Sequence, residues 1–364
     1  MSLNEKHFHG SDMEEISRVY NIPENSIINF ASNVNPYGCS DKLKEHLISC
    51  IDVIERYPDR DYSALRYSIA EYCNASPENI IVGNGCSELI ESFIKVISPD
   101  SATIISPTYS EYAHAVEISG GKSVFFELNS EHDFELDLNE LKKSFSNDTN
   151  LLIICNPNNP TSKLISLSGI EDIVKYCFNK NIQVIIDETY IEFVADHTKM
   201  SAASLTDRYN NLSVLRGTSK FFCCPGLRLG YAITGNDNLK TSLKNTMSPW
   251  AVSSIAEAAG QFIFSDNDYI SEISDKMNLE RTRMFNAFKD SNIFKAYKPE
   301  ANFMLLKILD NDLYSTEIFE NAIKSGLMIR DCSDFIGLSN RFIRFCFLLP
   351  GENDRLVKLL KSYR

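Results

Sequence analysis

Seven short apolar runs punctuate residues 75–235: Ile80-Ile81-Val82, Thr103-Ile104-Ile105, Val124-Phe125-Phe126, Leu151 to Cys155, Ile182 to Ile186, Leu212 to Leu215 and Tyr231-Ala232-Ile233. Runs of this length with β-branched or aromatic residues read as buried strands. Several are separated by amphipathic stretches of helix length. Parallel strands need long crossover connections, usually helical, so this alternation restricts the chain to few folds. The expectation is an α/β protein with a mostly parallel, seven-stranded sheet and helices on both faces. In such sheets ligands gather at the carboxyl ends of the strands, so the residues just after each run carry the functional signal.

After Trp250 the pattern changes. A helix-competent stretch runs through Ala256-Glu257-Ala258-Ala259 towards Lys289, with breaks near Ser265-Asp266-Asn267. Strand-like segments follow at Asn302 to Leu306, Leu327 to Arg330 and Phe342 to Phe347, then a helix over Asp354 to Lys361. These predict a smaller α+β domain, and 364 residues are long for a single core.

The strongest chemical signal is Lys220 in Leu215-Arg216-Gly217-Thr218-Ser219-Lys220, with Arg228 inside Gly226-Leu227-Arg228-Leu229-Gly230. A lysine forms a Schiff base only after losing its proton, which requires burial or neighbouring cations. Hydroxyls and an arginine beside it are the groups that hold a phosphate. Together they point to pyridoxal phosphate, whose ring is an electron sink. Asp187 ends the run Ile182 to Ile186, where a carboxylate can pair with the ring nitrogen of that cofactor, and Tyr190 follows three residues later. The run Leu151 to Cys155 ends in Asn156-Pro157-Asn158-Asn159-Pro160-Thr161, a loop stiffened by two prolines. Gly83-Asn84-Gly85-Cys86-Ser87-Glu88 follows the first run and opens a helix, whose free N–H groups suit an anion. Each block has a plainer reading by itself: a surface lysine, an Asp helix cap, an Asn-Pro turn, a capped βα turn.

In this order and spacing the blocks resemble the fold type I, pyridoxal-phosphate-dependent aminotransferases of classes I and II, over nearly the whole chain. Asn156 to Thr161 is particularly similar to the histidinol-phosphate aminotransferase branch. The resemblance implies a PLP-dependent transferase fold with a large domain over 40–250 and a discontinuous small domain over 1–39 and 251–364. It implies Lys220 as the Schiff-base lysine, Asp187 on the pyridine nitrogen, and Tyr190 with Asn159 on the ring oxygen. It further implies phosphate binding by Gly85, Cys86, Ser87, Ser219 and Arg228, with Tyr109 stacked on the ring. Tyr57, in Arg56-Tyr57-Pro58-Asp59, would reach the partner's cofactor phosphate in a homodimer. Arg344 and Arg330 would hold anionic groups of the substrate. Where the family has Gly after the Thr this chain has Ser162, and Gly217 stands where a hydroxyl residue is usual, so that one phosphate hydroxyl is either missing or replaced by Thr218.

The core motifs serve transamination and decarboxylation alike. Transamination of a small phosphorylated amino acid or amine is the first expectation. Phe30 to Pro36, Pro225 to Tyr231, Ile329 to Leu338 and His7-Phe8-His9-Gly10 are similar instead to threonine-phosphate decarboxylase of cobalamin synthesis, and place His9 and Asn35 among the substrate contacts. Two departures from that enzyme are Ser11, where it has another Gly, and Leu348, where a further arginine is usual.

A net charge of −13 argues against a nucleic-acid or anionic-membrane partner, and against a DNA-binding regulator built on this fold. An anionic substrate must then be held by local arginines. The first residues lack the apolar core of a signal peptide, and no run reaches the roughly 20 apolar residues of a membrane span. The ten cysteines show neither CxxC nor metal-ligand spacing, so they read as small buried hydrophobes in a reducing cytoplasm, with no metal expected.

Overall fold

The computed structural model describes residues 8, 10 and 12–363. All seven runs are strands of one sheet: β1 (Ile80–Gly83), β2 (Ser101–Ser106), β3 (Lys122–Glu127), β4 (Thr149–Cys155), β5 (Gln183–Asp187), β6 (Leu212–Gly217) and β7 (Gly230–Thr234). The spatial order is β1-β7-β6-β5-β4-β2-β3. Only β7 runs antiparallel to its neighbours, between β1 and β6. The other pairings are parallel, as the helix-length crossovers predict.

Burial on both faces explains why these strands read as continuous apolar runs. Period-2 alternation sends Leu151, Ile153 and Cys155 into one core cluster, and Leu152 and Ile154 into another. The same parity places Ile185 and Leu215 with the first cluster, and Val184, Ile186 and Val214 with the second. It therefore turns the strand-end residues Asp187 and Gly217 towards the first face. Arg216, one residue earlier, points the other way. There its Nε and Nη2 bond Glu188 Oε2 at 3.0 and 2.9 Å, in a pair almost wholly withdrawn from solvent.

A second, antiparallel sheet joins Phe294–Ala296, Phe303–Ile308, Arg330–Asp331 and Phe342–Cys346. Two helices, Ser254–Ile263 and Asn267–Phe288, fill the stretch before it and break at the expected place, where Asp266 caps the second. The last helix starts earlier than expected, at Pro350, because proline is favoured in a first helical turn. Ile28–Asn29 pairs in parallel with Leu327–Met328, tying the N-terminal segment to this sheet. Among the described residues no helix is long and apolar enough to cross a membrane.

Candidate active site

The carboxyl ends of β2, β4, β5 and β6 open into a cavity of about 790 Å³. Cys86, Ser87, Tyr109, Asn159, Asp187, Tyr190, Ser219, Lys220, Arg228, Arg330 and Arg344 line it together, although they span 259 positions of chain from 86 to 344. Its basic side chains are Lys220, Arg228, Arg330 and Arg344, and its acidic ones Glu111, Asp187 and Asp334. An acidic chain thus carries a locally basic cavity, as an anionic ligand requires.

Lys220 is part-buried, and its Nζ donates to the Ser32 carbonyl at 2.7 Å. Burial and then the Arg344 and Arg228 charges bring its ammonium pKa down to about 8. An amine with this pKa is partly neutral near physiological pH, which a nucleophilic lysine needs. The lysine's backbone is fixed from the N-terminal segment. Asn35 N–H donates to the Lys220 carbonyl at 3.0 Å, and Asn35 Nδ2 to the Phe221 carbonyl at 2.9 Å.

Asp187 accepts three hydrogen bonds. Thr189 N–H and Oγ1 donate to Oδ1 at 2.8 and 2.6 Å, and the Tyr112 hydroxyl to Oδ2 at 2.7 Å. No helix follows directly, so the cap reading of Asp187 is not the one the fold realises. Tyr190 is buried, edge-on to Phe303 at 4.9 Å, and its hydroxyl accepts from Asn33 Nδ2 at 3.3 Å. Burial keeps its phenol protonated, and burial likewise pushes Tyr109 up to about 12.

The helix Gly85–Ile97 begins at the cavity; the side chain of Asn84, its N-cap residue, caps none of its N–H groups, and Glu88 Oε2 accepts from the Asn84 N–H at 2.6 Å. Gly85 has φ +80°, and a Cβ there would lie 2.4 Å from Arg228 Nη2, so the arginine packs on the helix N-terminus where a side chain would otherwise stand. Arg228 has no hydrogen-bond or ion-pair partner among the described residues. A helix N-terminus whose N-cap side chain bonds none of its N–H groups, beside an unpaired guanidinium, suits an anion.

At the other end Arg344 is almost fully buried. Its Nη1 bonds Asn159 Oδ1, its Nη2 donates to the Ala31 carbonyl at 2.6 Å, and its Nε is left without a partner. A buried charged donor without an acceptor is costly, and an anionic ligand relieves it. Arg330 Nη2 pairs with Asp334 at 2.6 Å and its Nη1 with the Phe8 carbonyl at 3.1 Å, above the ring of Phe335.

Two of the expected contacts, Thr218 and Asn35, lie elsewhere. Thr218 does not replace the hydroxyl missing at Gly217: it is fully buried, and its hydroxyl donates to the Leu229 carbonyl at 3.1 Å. Strand alternation is the reason, because residues next to each other face opposite sides. The space beside Gly217 holds the Cys86 thiol, whose Sγ would be 2.8 Å from any added Cβ. Asn35 does not line the cavity, because all its amide atoms are engaged in fixing Phe221, Tyr269 and Tyr37. Tyr57 is 81 % exposed on the outer surface, against Trp250. His9 lies outside the described residues. Residues not singled out from sequence also line the cavity, among them Asn33, Tyr112, Thr189 and Asp334. Tyr112 follows the strand Ser101–Ser106 closely in sequence, but only its contact with Asp187, 75 positions away, reveals its part.

Residues 25–360 match the sequence family described as aminotransferase class I and II. A Caldanaerobacter subterraneus subsp. tengcongensis protein provisionally named threonine-phosphate decarboxylase is 36% identical over 331 residues, 91% of this chain and 89% of that one. Histidinol-phosphate aminotransferase of Methanosphaera stadtmanae is 29% identical over 356 residues, 97% of this chain and 95% of its own. The crystal structure of histidinol-phosphate aminotransferase from Clostridium acetobutylicum superposes with a TM-score of 0.86 at 30% identity, over 92% of this chain and 98% of that one.

Proposed function

The chain belongs to the class I and II aminotransferase family, and from that premise we propose that it is a pyridoxal-phosphate-dependent aminotransferase acting on a small, phosphorylated amino acid or amine. The observation that carries this reading is the pairing of a lysine of lowered pKa with a buried arginine whose Nε has no acceptor. When bound, the cofactor supplies an aldehyde for a neutral amine and a ring that draws electrons from the substrate's α-carbon.

The residues fit that group. The helix end at Gly85–Ser87, with Ser219 and Arg228, would hold its phosphate; Asp187 would face its ring nitrogen; Asn159 and Tyr190 would hold its ring oxygen; Tyr109 would cover its ring face. Lys220 Nζ, neutral in part near pH 8, takes and returns the proton at the substrate's α-carbon. Arg344 holds the substrate's anionic group, and Arg330 a second one. Leu348, where a further arginine is usual in the decarboxylase, keeps transamination the first reading.

The alternative is a threonine-phosphate decarboxylase-like lyase. It is favoured by the segment Arg330, Asp334, Phe335 and Ile336 lining the cavity, within the stretch that resembles that enzyme, and by the 36% identical relative. Incubating the holoenzyme with O-phosphothreonine, O-phosphoserine and histidinol phosphate separates the two. Transamination converts the cofactor to its amino form without gas, whereas release of carbon dioxide establishes the lyase. Equal reaction of unphosphorylated amino acids overturns the phosphorylated-substrate reading.

The wider organisation follows the same reading. Ile48, Ile54 and Tyr57 are 74, 62 and 81 % exposed and lie close along the chain. Together with Ile51 and Trp250 they suit an interface with a second copy, where Tyr57 would complete the partner's phosphate seat. The pairing of Ile28–Asn29 with Leu327–Met328 supports a small domain assembled from 1–39 and 251–364 around the large domain over 40–250.

A further inference from the structure

Tyr112 is a buried residue that the proposed chemistry does not use. Its ring lies edge-on to Tyr109, with centroids 5.6 Å apart, and its hydroxyl donates to Asp187 Oδ2 at 2.7 Å. Burial and then the Asp187 charge raise the phenol's pKa well above its ordinary value, so the hydroxyl keeps its proton and stays a donor. On the other carboxylate oxygen, Thr189 supplies two donors. Thr189 Oγ1 has one hydrogen and two neighbours, Asp187 Oδ1 at 2.6 Å and Cys86 Sγ at 3.6 Å. The short contact to a carboxylate takes that hydrogen, which leaves the Cys86 thiol to donate to Thr189. Gly217 makes this possible, since a Cβ there would displace the sulfur.

A carboxylate has about four acceptor sites, and protein donors fill three of Asp187's. We propose that Tyr112 and Thr189 are positioning residues for Asp187, setting both its orientation and how strongly it pulls on a proton shared with the cofactor's ring nitrogen. Each donated hydrogen bond draws charge from the carboxylate, so the shared proton stays on the nitrogen and the ring stays electron-withdrawing. Removing the Tyr112 hydroxyl makes Asp187 compete better for that proton, without touching substrate or lysine. This inference rests on the reading of Asp187 as the ring-nitrogen partner.

The test is Tyr112→Phe loaded with cofactor labelled with ¹⁵N in the ring, beside Thr189→Val and the conservative Thr189→Ser. In the wild type the ¹⁵N resonance should sit at the protonated position. In Tyr112→Phe and Thr189→Val it should move towards the unprotonated one, and in Thr189→Ser it should stay. kcat should fall about tenfold in the first two, with KM little changed, as for an interaction made only in the transition state. A wild-type resonance and kcat in Tyr112→Phe would overturn the proposal while leaving Asp187's role intact. A wild-type nitrogen that is already unprotonated would overturn both.

Discussion

Ser162 shows how a departure from a family pattern is absorbed locally. It sits at φ +58°, the left-handed region where glycine is at ease and a side chain costs about 1 kcal/mol. Its hydroxyl offsets this by accepting from Ala301 N–H at 2.9 Å and Glu300 N–H at 3.2 Å. Ser162→Gly should therefore destabilise by about 1 kcal/mol, and Ser162→Ala by about 2 kcal/mol, since alanine loses the hydroxyl and keeps the strain. Denaturant midpoints should rank serine above glycine above alanine. Glu192 is the second residue with a measurable signature. Both its oxygens lack hydrogen-bond partners, and burial, opposed by Arg216, lifts its carboxyl to about 7. An acid whose pKa is raised on folding contributes stability that is full below about 4.5 and lost as pH climbs to about 7. Glu192→Gln should melt higher than the wild type at pH 8, by about 3 kcal/mol at most, and the two curves should converge below pH 5.

Among elements, the helix Gly85–Ile97 carries the clearest burden. It needs no side-chain cap if its first N–H groups are kept for a ligand, and Arg228 stands over them unpaired. Arg228→Ala should weaken cofactor binding by about 10- to 100-fold, equivalent to one charge-assisted contact. The visible absorbance titration that reads this should show a much smaller loss for Arg228→Lys. A cofactor affinity unchanged in Arg228→Ala would show that the helix end alone holds the phosphate. The strands β5 and β6 share a different device: Glu188 and Arg216 pair behind the site, on the face that Asp187 and Gly217 turn away from. Ser201 Oγ and Ala202 N–H also donate to Glu188, so the pair is satisfied and fixes one strand end against the next.

For the whole molecule, the exposed isoleucines of residues 48–54 and the outward Tyr57 make assembly the property to measure. If the proposed interface with a second copy forms there, Ile51→Glu with Ile54→Glu should shift sedimentation from dimer to monomer, because charges in an apolar interface are desolvated without partners. Tyr57→Phe should keep the dimer while lowering cofactor affinity several-fold. If Tyr57→Phe binds the cofactor as the wild type does, Tyr57 serves the interface alone.

The β-strands and their carboxyl ends were legible in the sequence because strands buried on both faces must be apolar throughout, and ligands collect where they stop. Lys220, Asp187 and Asn159 announce themselves by following such runs. What remained hidden depends on register and on partners distant in sequence. Thr218 read as a replacement hydroxyl until strand alternation placed Gly217, and with it the Cys86 thiol, on the cavity side. Asn35 read as a substrate contact, whereas the tertiary structure spends its amide on the Lys220 loop. The donors on Asp187 come from Thr189 and from Tyr112, whose approach is set by how the helix Glu111–Ile118 packs on the sheet. Local periodicity dictates which residues a strand buries and where it ends. Only three-dimensional packing decides which of two buried polar groups meet, since that is settled by geometry between segments that local sequence does not encode.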